Sequence, residues 1–292
     1  MADLAYAAIM AVWGSSFAVL RGLMGQDAAS PLALVAVRMA MATVLLLVFL
    51  AITGRLDSLR GPVVRDGVFC GLLLGVGFLL QIEGLQRTTA SRSGFLTGLL
   101  VVMTPLLEFV LYRRRPAAPA LLGVALAFGG MTVLSAPWAD ASNATLLGDW
   151  LTVGCAIVFA GHIVALGRVA PRHPVLPMLL LQLATVCTLA IVFGPLVETQ
   201  HFATGEPRLW LALLYLALFA TLLAFGIQTW AQKILPPVRV ALISSLEPVF
   251  AALWAALLIG ERLTGHELLG GALIVLGVAV GEAGAAWARA RA

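Results

Sequence analysis

The chain has 292 residues, of which 61% are hydrophobic and only 11% are Asp, Glu, Lys or Arg. A soluble domain carries about 25% of these charged residues, and the mean hydropathy of this chain is +1.03. Too few polar atoms remain to cover a globule in water, so the solvent for most of the chain must be lipid. This composition excludes a soluble enzyme, a nucleic-acid-binding module and a disordered protein.

The basic residues are nearly all arginines in short loops between apolar runs, and the formal net charge is +4. This distribution indicates that they set membrane topology, with no nucleic acid as partner. The three cysteines, Cys70, Cys155 and Cys187, lie inside apolar runs, which argues against a disulfide framework. Asp3 stands where a cleavable signal would carry positive charge, so we expect the first apolar run to be retained.

Ten apolar runs predict the architecture. A helix needs about 20 mostly apolar residues to cross the hydrocarbon core, and continuous runs of that length exclude a transmembrane β-barrel. The runs, in chain order, cover 4–23, 32–52, 67–86, 93–112, 118–136, 148–167, 175–194, 209–231, 238–260 and 267–287. The fold class is therefore predicted as an all-α membrane protein with ten transmembrane helices, called spans 1 to 10 here.

The Lys and Arg residues predict the orientation. With the N-terminus inside, twelve of them fall in inner segments and five in outer segments, while Arg38 lies within span 2. Basic residues collect on the cytoplasmic side, so both termini are expected there. The longest loops, 137–147 and 195–208, would then lie outside.

A weak internal repeat divides the chain. Segment 97–111 corresponds to 243–254 when Pro105 is laid on Pro248, and 121–130 then matches 268–277 after a short gap. The repeating unit is five spans, and an odd number inverts the second copy. We therefore predict two inverted-topology halves of five helices each around a central cavity, and they cover residues 1–136 and 148–288.

Two prolines predict where a substrate site lies. Of 14 prolines, only Pro105 and Pro248 lie deep within a span. Proline removes one N–H and frees a carbonyl, which in lipid must find protein or cavity water. Paired interruptions of this kind indicate a midplane substrate site, although two packing kinks, one inherited by duplication, would look the same.

Four stretches resemble the drug/metabolite transporter superfamily in its ten-span EamA-type branch. They are AVWGSSF (11–17), VRMAMA (37–42), TASRSGFLTGLLVVMTPL (89–106) and ALISSLEPVFAALWAALLIGERLTGHELLGGALIVLGV (241–278). The resemblance implies a bacterial inner-membrane exporter of amino acids, other metabolites or drugs. It also implies a central cavity lined by spans 1–4 and 6–9, with spans 5 and 10 packed behind. The first half departs from the pattern at 113–115.

Ionisable and amide groups within the spans are the candidates for substrate contact and coupling. Glu247 could bind an ammonium or a proton, or cap a kinked backbone, and His162 could titrate near neutral pH or join two helices. Amides beside aromatic rings could hold a zwitterion or serve as interhelical contacts. The predicted cavity residues are Trp13, Gly14, Ser16, Phe78, Gln81, Pro105, His162, Gln228, Gln232, Ser244, Glu247 and Pro248.

Other charges are predicted to be structural. Glu83 and Arg87 have the i,i+4 spacing of an ion pair, and Arg38 could snorkel outward or meet a carboxylate. Thr264 and Glu267 have the spacing of a capping box at the start of span 10. The predicted structural charges are Arg38, Glu83, Arg87, Glu261 and Arg262.

The chain contains no G-x-x-x-x-G-K-[ST], H-E-x-x-H or G-x-S-x-G motif and no cluster of metal ligands. We therefore expect no enzyme, no catalytic residue, no ATP, no cofactor and no metal, with a small-molecule substrate and the bilayer as partners. A homodimer stays open.

The sequence favours a secondary exporter working by alternating access. Few fixed charges in the candidate cavity argue against nucleotide sugars and favour neutral or aromatic amino acids. A multidrug or cation extruder is the alternative within the class. A lipid scramblase or a non-transporting membrane scaffold is the alternative outside it. Proton coupling through Glu247 or His162 and facilitated diffusion both stay open.

Overall fold

The computed structural model describes the chain apart from residues 24–28, 137, 139–144, 200, 203–204, 206, 261 and 291–292. Within that part every regular element is a helix, beside one isolated β-bridge between Ala29 and Phe202. The α-helices are α1 (Ala2–Leu23), α2 (Pro31–Ile52), α3 (Pro62–Leu85), α4 (Ala90–Gly98), α5 (Leu100–Tyr112), α6 (Ala118–Ser135), α7 (Leu146–Val169), α8 (Val175–Val197), α9 (Pro207–Tyr215), α10 (Ala224–Ala231), α11 (Pro237–Ser244), α12 (Glu247–Trp254) and α13 (Gly265–Ala290). The predicted all-α class is confirmed.

Nine helical stretches of the described chain are long and apolar enough to cross a membrane. They are Pro31–Ile52, Pro62–Leu85, Arg92–Tyr112, Ala118–Ser135, Leu146–Arg172, Val175–Val197, Pro207–Ala231, Pro237–Leu258 and Gly265–Gly284. These stretches correspond to predicted spans 2 to 10. Predicted span 1 forms the 22-residue helix α1, and its role as a membrane span stays a prediction.

Two of these spans are broken at matching places. Leu99 separates α4 from α5, and a turn at Ser245 and Leu246 separates α11 from α12. Each broken span then ends in a left-handed residue, Arg113 with φ 58° and Gly260 with φ 75°. Laying Leu99 on Leu246 also lays Arg113 on Gly260, and we call this alignment the break register.

The break register differs from the register of the sequence repeat, which placed Pro105 on Pro248, and the repeat itself stays a prediction. Pro105 lies inside α5, whereas Pro248 is the second residue of α12. Proline near a helix start loses no intrahelical bond, whereas Pro105 leaves the Val101 carbonyl without its usual N–H. The two prolines therefore have different structural roles.

Span 8 is one continuous helix with a widened middle. A π-helical segment, Leu216–Leu223, joins α9 to α10, and a shorter one, Ala255–Ile259, extends α12. Such segments shift the hydrogen-bond register and are frequent at functional sites. Here the carbonyl of Ala220 accepts a hydrogen bond of 2.8 Å from Trp13 Nε1 on α1. The widened turn thus ties α1 to the α9–α10 helix.

Helices α6 and α13 pack against each other through glycines. A Cβ atom on Gly123 would lie 2.6 Å from the carbonyl oxygen of Gly277, and one on Gly130 would lie 2.6 Å from that of Gly270. Side chains at these four positions would force the backbones apart, so glycine permits the close crossing.

The other helices form the bundle in front of this pair. Helix α3 packs against α7 and α8, α2 against α8, α1 against α10 and α12, and α5 against α7 and α11. The largest apolar core includes Met39 of α2, Leu74 of α3, Leu183 of α8 and Ala217 of the π-helical segment. This packing gathers the predicted site residues of α1, α3, α7 and α10.

The outer surface of the bundle is apolar. Helix α2 alone exposes Val44, Leu45, Leu47, Val48 and Phe49. A water-soluble protein rarely exposes so large a contiguous apolar face, whereas lipid chains cover it without cost. The chain is therefore described as spanning a membrane.

Candidate transport site

Four aromatic rings, which we call the aromatic cluster, form a chain of contacts inside the bundle. The ring centroids of Trp13 and Phe225 are 5.2 Å apart, those of Phe225 and Phe78 are 6.5 Å apart, and those of Phe78 and Phe159 are 5.7 Å apart. Each pair is tilted or edge-to-face, the arrangement that aromatic quadrupoles favour. Helices α1, α10, α3 and α7 each contribute one ring.

The sequence analysis named Trp13 and Phe78 as site residues, and Phe159 was missed. Phe159 is one of 13 phenylalanines and lies on a uniformly apolar helix, so periodicity could not distinguish it. Its partner Phe78 lies on another helix, and only the packing of α3 on α7 brings the two rings together.

Arg38 reaches from α2 to the aromatic cluster. Its guanidinium carbon lies 5.4 Å from the centroid of the Phe78 ring, within the range of a cation–π interaction. Its Nε is buried, and no hydrogen bond or ion pair joins the Arg38 side chain to another described residue. Predicted as a structural charge, it thus has a ring but no carboxylate as its partner.

Glu247 begins α12 directly after the helix break, and it is half-buried. No described Lys or Arg forms an ion pair with it, and its polar neighbourhood includes the Tyr6 hydroxyl, which interacts with it electrostatically. The same hydroxyl lies 2.8 Å from Ser244 Oγ, at the other side of the break. Tyr6 was missed because it lies at the opposite end of the sequence from Ser244.

Gln228 of α10 and Gln232, which directly follows α10, are both buried. Gln232 Nε2 donates to the carbonyl of Ile163 over 2.6 Å. The Oε1 atoms of Gln228 and Gln232, and Oγ1 of Thr221, have no hydrogen-bond partner among the described residues. Gln228 and Thr221 lie on the same helix as Phe225, so these acceptors are near the aromatic cluster.

His162 is buried and belongs to a polar group between α7, α8 and α10. Its Nε2 lies 2.8 Å from Gln182 Oε1, and Gln182 Nε2 in turn donates to the Met178 carbonyl and to Thr229 Oγ1. This arrangement matches the interhelical hydrogen bond that the sequence analysis left open. Gln182 was missed because a single amide in an apolar helix carries no spacing signal.

Gly14 has a different environment from the one predicted. A Cβ atom there would lie 2.7 Å from the backbone nitrogen of Ala251 on α12, so the small residue admits a helix rather than a ligand. Ser16 Oγ donates to the Val12 carbonyl of its own helix. The Gly14 contact holds α1 close to α12, and Trp254 Nε1 adds a bond of 2.8 Å to the carbonyl of Ala11.

Gln81 and Pro105 complete the predicted set. Gln81 is half-buried, one turn beyond Phe78 on α3, and no hydrogen bond to a described residue is found for it. Pro105 is buried within α5, the helix that packs against α7 and α11. These contacts place Pro105 among packed helices.

An ion pair joins α4 to α7 at one end of the bundle. Arg92 binds both carboxylate oxygens of Asp149, and Thr88 Oγ1 donates to Asp149 over 2.8 Å. At the same end the Thr145 N–H and hydroxyl donate to the carbonyl of Arg87, which follows α3.

The opposite end has an ion pair between α1 and α11, made through one carboxylate oxygen. Arg239 Nε lies 2.9 Å from Asp3 Oδ1, and Arg239 also pairs with Glu282. The far end of α7 leads to His173, whose carbonyl accepts from Lys233 shortly before α11. Asp149 lies in the first turn of α7, at its other end. Arg239 and Asp149 therefore lie at opposite ends of the bundle.

Asp66 links α3 to the segment after α7 at the Arg239 end. Its Oδ2 lies 2.8 Å from His173 Nε2, and its Oδ1 lies 3.0 Å from Arg65. Asp66 belongs to α3 and His173 follows α7, so the contact joins the two predicted halves.

The remaining predicted charges are Glu83, Arg87, Glu261 and Arg262, and the first two are half-buried. Arg87 and Glu83 form an i,i+4 ion pair at the end of α3. Arg262 is exposed, and Glu261 lies outside the described residues. The predicted capping box is confirmed, because Thr264 N donates to Glu267 Oε2 over 2.8 Å.

Two of the best-formed cavities in the described part of the chain open at the surface, and neither lies between Pro105 and Pro248. One, of about 260 Å³, is a groove between α8 and the α9–α10 helix, lined by apolar residues that include Leu179, Leu223 and Trp230. The other, of about 470 Å³, lies between the 54–58 turn and the start of α8. The predicted midplane cavity stays a prediction.

Comparison with known proteins shows similarity over nearly the whole chain. An uncharacterized transporter of Archaeoglobus fulgidus is 30% identical over 96% of this chain and 85% of its own length. A protein of Escherichia coli K12 named as a probable amino-acid metabolite efflux pump is 27% identical over 97% of this chain and 95% of its own length. A crystal structure of another protein, 21% identical, superposes with a TM-score of 0.80 over 96% of each chain, which shows a shared fold.

The family comparison agrees with these likenesses and with the packed membrane helices. The model of the EamA-like transporter family matches residues 1–136 and 146–280. The chain belongs to the EamA-like transporter family, and it is a multi-pass membrane protein.

Proposed function

We infer that the protein is a secondary exporter of small metabolites, with neutral or aromatic amino acids as substrates, and that it works by alternating access. The chain would lie in a bacterial inner membrane with both termini in the cytoplasm, as its Lys and Arg distribution favours. The observation that carries this proposal is the aromatic cluster. Its rings offer a surface on which an apolar or aromatic ligand could pack, and they come from both predicted halves.

The helix contacts support a repeat in the break register. This register takes Gly123 to Gly270 and Gly130 to Gly277. The contact between Gly123 and Gly277 then corresponds to the contact between Gly270 and Gly130. In each, a Cβ atom on the first glycine would lie 2.6 Å from the carbonyl oxygen of the second. Such an exchange is expected of halves related by a two-fold axis.

The aromatic cluster supports the same relation. In the break register Phe78 corresponds to Phe225. Trp13 falls one residue away from Phe159 in the same register. The order of ring contacts is therefore symmetric about its middle, where the contact between Phe78 and Phe225 joins equivalent residues. Five spans in each half make the repeat inverted, with its axis near this contact.

The ion pairs at the two ends are related in the same way. The break register takes Arg92 to Arg239, and a shift by a single position takes Asp3 to Asp149. Each pair joins one half to the other, at opposite ends of the bundle. We propose that they act as two gates, and that transport opens one while the other stays closed.

The site chemistry favours a small, partly aromatic substrate. The aromatic cluster provides an apolar surface, and Gln228 provides an acceptor with no partner in the described chain. Two relatives are named as probable amino-acid metabolite efflux pumps, and we extend that substrate class to this chain. Glu247 and His162 are the proposed proton sites.

Counterflow in proteoliposomes tests the function. Vesicles loaded with unlabelled L-phenylalanine should accumulate labelled L-phenylalanine, and a proton gradient should change the rate if Glu247 or His162 couples transport to protons. Protein-free vesicles are the control. No accumulation for any amino acid of a full panel would contradict the proposal.

Export of organic cations is the second candidate, because Glu247 has no cationic partner among the described residues. The same vesicles tested with quaternary amines separate the two substrates. Lipid scrambling needs a polar path for head groups, and the groove between α8 and the α9–α10 helix has only apolar lining.

A further inference from the structure

We propose that Arg38 binds the carboxylate of the transported ligand, whose aromatic ring packs against Phe78. The inference rests on the proposed transport function and narrows its substrate class to aromatic carboxylates, among them the aromatic amino acids. It also changes the role of Arg38 from a structural charge to a ligand-binding residue.

The first argument is the missing counter-ion. Arg38 is the eighth residue of α2, a helix long and apolar enough to cross a membrane. Cations at such depth are costly and pair with an anion or a backbone oxygen. No described residue supplies either to the Arg38 side chain, and its Nε is buried without an acceptor. The partner is therefore expected to come from outside the chain.

The second argument is the direction of the side chain. The guanidinium lies 5.4 Å from the centroid of Phe78, toward the bundle interior, where Phe78 contacts Phe225 and Phe159. Val35 and Ala42, one turn before and after Arg38, are buried. A guanidinium that snorkelled to a lipid phosphate would have to leave this ring and bring its Nε to the surface.

The third argument is the match between Arg38 and a carboxylate. A guanidinium that interacts with a ring through its charge keeps its N–H groups free, and these groups bind a carboxylate in a bidentate manner. A ligand with its carboxylate on Arg38 would carry a nearby aromatic group to the contact between Phe78 and Phe225. That contact is the widest of the cluster, at 6.5 Å.

The fourth argument is that the second half lacks an equivalent cation. The break register lays Arg38 on Thr185 of α8, whose hydroxyl donates to the carbonyl of its own helix at Leu181. The eighth residue of α8 is Gln182, and it is already bonded to His162. The aromatic cluster has equivalent rings in both predicted halves, but only the Phe78 side has a cation, Arg38, next to it. This positive charge would orient an anionic group of the ligand.

Binding to purified protein in lipid nanodiscs tests the proposal with three probes that share one ring. L-phenylalanine and 3-phenylpropionate have the carboxylate, and phenethylamine lacks it. We expect Arg38→Gln to weaken binding of both carboxylates about tenfold or more, the effect of one charged hydrogen bond, with phenethylamine changed less than about twofold. Arg38→Lys should retain part of the preference, since it keeps the charge without the planar edge. The exposed Arg262→Gln is the matched control and should change none.

Equal weakening of all three probes, or unchanged binding of the carboxylates, would overturn the assignment. If Arg38→Gln is not recovered as folded protein, the wild type and Arg38→Lys decide. The wild type must prefer 3-phenylpropionate to phenethylamine, and Arg38→Lys must reduce that preference. Carboxylate binding that depends on Arg38 without any counterflow would contradict the transport function alone, whereas counterflow with no Arg38 dependence would contradict this inference alone.

Discussion

Glu247 is a carboxylic acid at membrane depth without a cation to pair with it in the described chain. It is the first residue of α12, where the helix dipole favours negative charge. An intramembrane acid with this environment is expected to be functional.

The first prediction concerns this carboxyl group. Glu247→Gln should leave the thermal unfolding temperature unchanged or raise it, because the variant removes an unpaired charge from lipid. It should lower phenylalanine counterflow about tenfold or more, the effect of one charged contact. Asp57→Asn, which removes an exposed carboxylate paired with Arg60, is the control. Normal flux in Glu247→Gln would remove this residue from the mechanism.

The second prediction concerns the buried pair of His162 and Gln182. His162→Ala should destabilise the protein by about 1–3 kcal/mol, because the Gln182 amide oxygen loses its partner. The double variant His162→Ala, Gln182→Leu should recover part of that loss, since it removes the unsatisfied amide oxygen and loses only the longer bond of 3.4 Å to Thr229 Oγ1 and the bond to the Met178 carbonyl. Thermal unfolding measures both. A double variant less stable than His162→Ala would show that this bond is not the cause, and counterflow by the single variant tests its role in coupling.

Local pairs could be predicted from the sequence, and distant pairs could not. The Glu83 and Arg87 pair and the Thr264 and Glu267 cap follow from spacing on one helix. The bond between the hydroxyls of the first and eleventh helices, Tyr6 and Ser244, joins opposite ends of the sequence, and only the packing of α1 on α11 and α12 creates it. Tyr6 gives no periodic signal of its own.

Among the elements, the broken helices show what a proline pattern can predict. Pro105 and Pro248 pointed to the two spans that are broken. The breaks at Leu99 and Leu246 give a different register from the prolines, and the first break contains no proline. The π-helical segments likewise have no sequence signal, and the longer one, Leu216–Leu223, packs against α1 and α2.

The third prediction concerns the pairing of α6 with α13. Gly130→Ala should destabilise the protein, because the added Cβ would lie 2.6 Å from the Gly270 carbonyl and 2.7 Å from the backbone nitrogen of Ile274. The neighbouring Gly129 has nothing within 4 Å of such an atom. Gly129→Ala should therefore be neutral, or stabilising by up to about 1 kcal/mol from helix propensity. Equal unfolding temperatures for the two variants would contradict the close crossing.

In the whole molecule, the contacts that recur in both predicted halves hold the helices together. The polar groups that occur in one half alone are the candidates for binding substrate and protons. The glycine pairs, the aromatic cluster and the two end ion pairs recur in the break register, to within a single position. Arg38, Glu247 and His162 do not, since the equivalent positions carry other residue types. The apolar runs were enough to predict the helices, but the contacts between halves depend on three-dimensional packing.

Distances between spin labels at the two ends of the bundle test the central claim of alternating access most directly. One label pair at Leu85 and Leu146 and another at Val64 and Ile234 join the two halves at opposite ends, on exposed residues that leave both ion pairs intact. The three native cysteines are buried, so introduced cysteines would carry the labels. Saturating L-phenylalanine should lengthen one distance and shorten the other. Two distances that stay fixed, or change in the same direction, while phenylalanine counterflow proceeds would contradict the account.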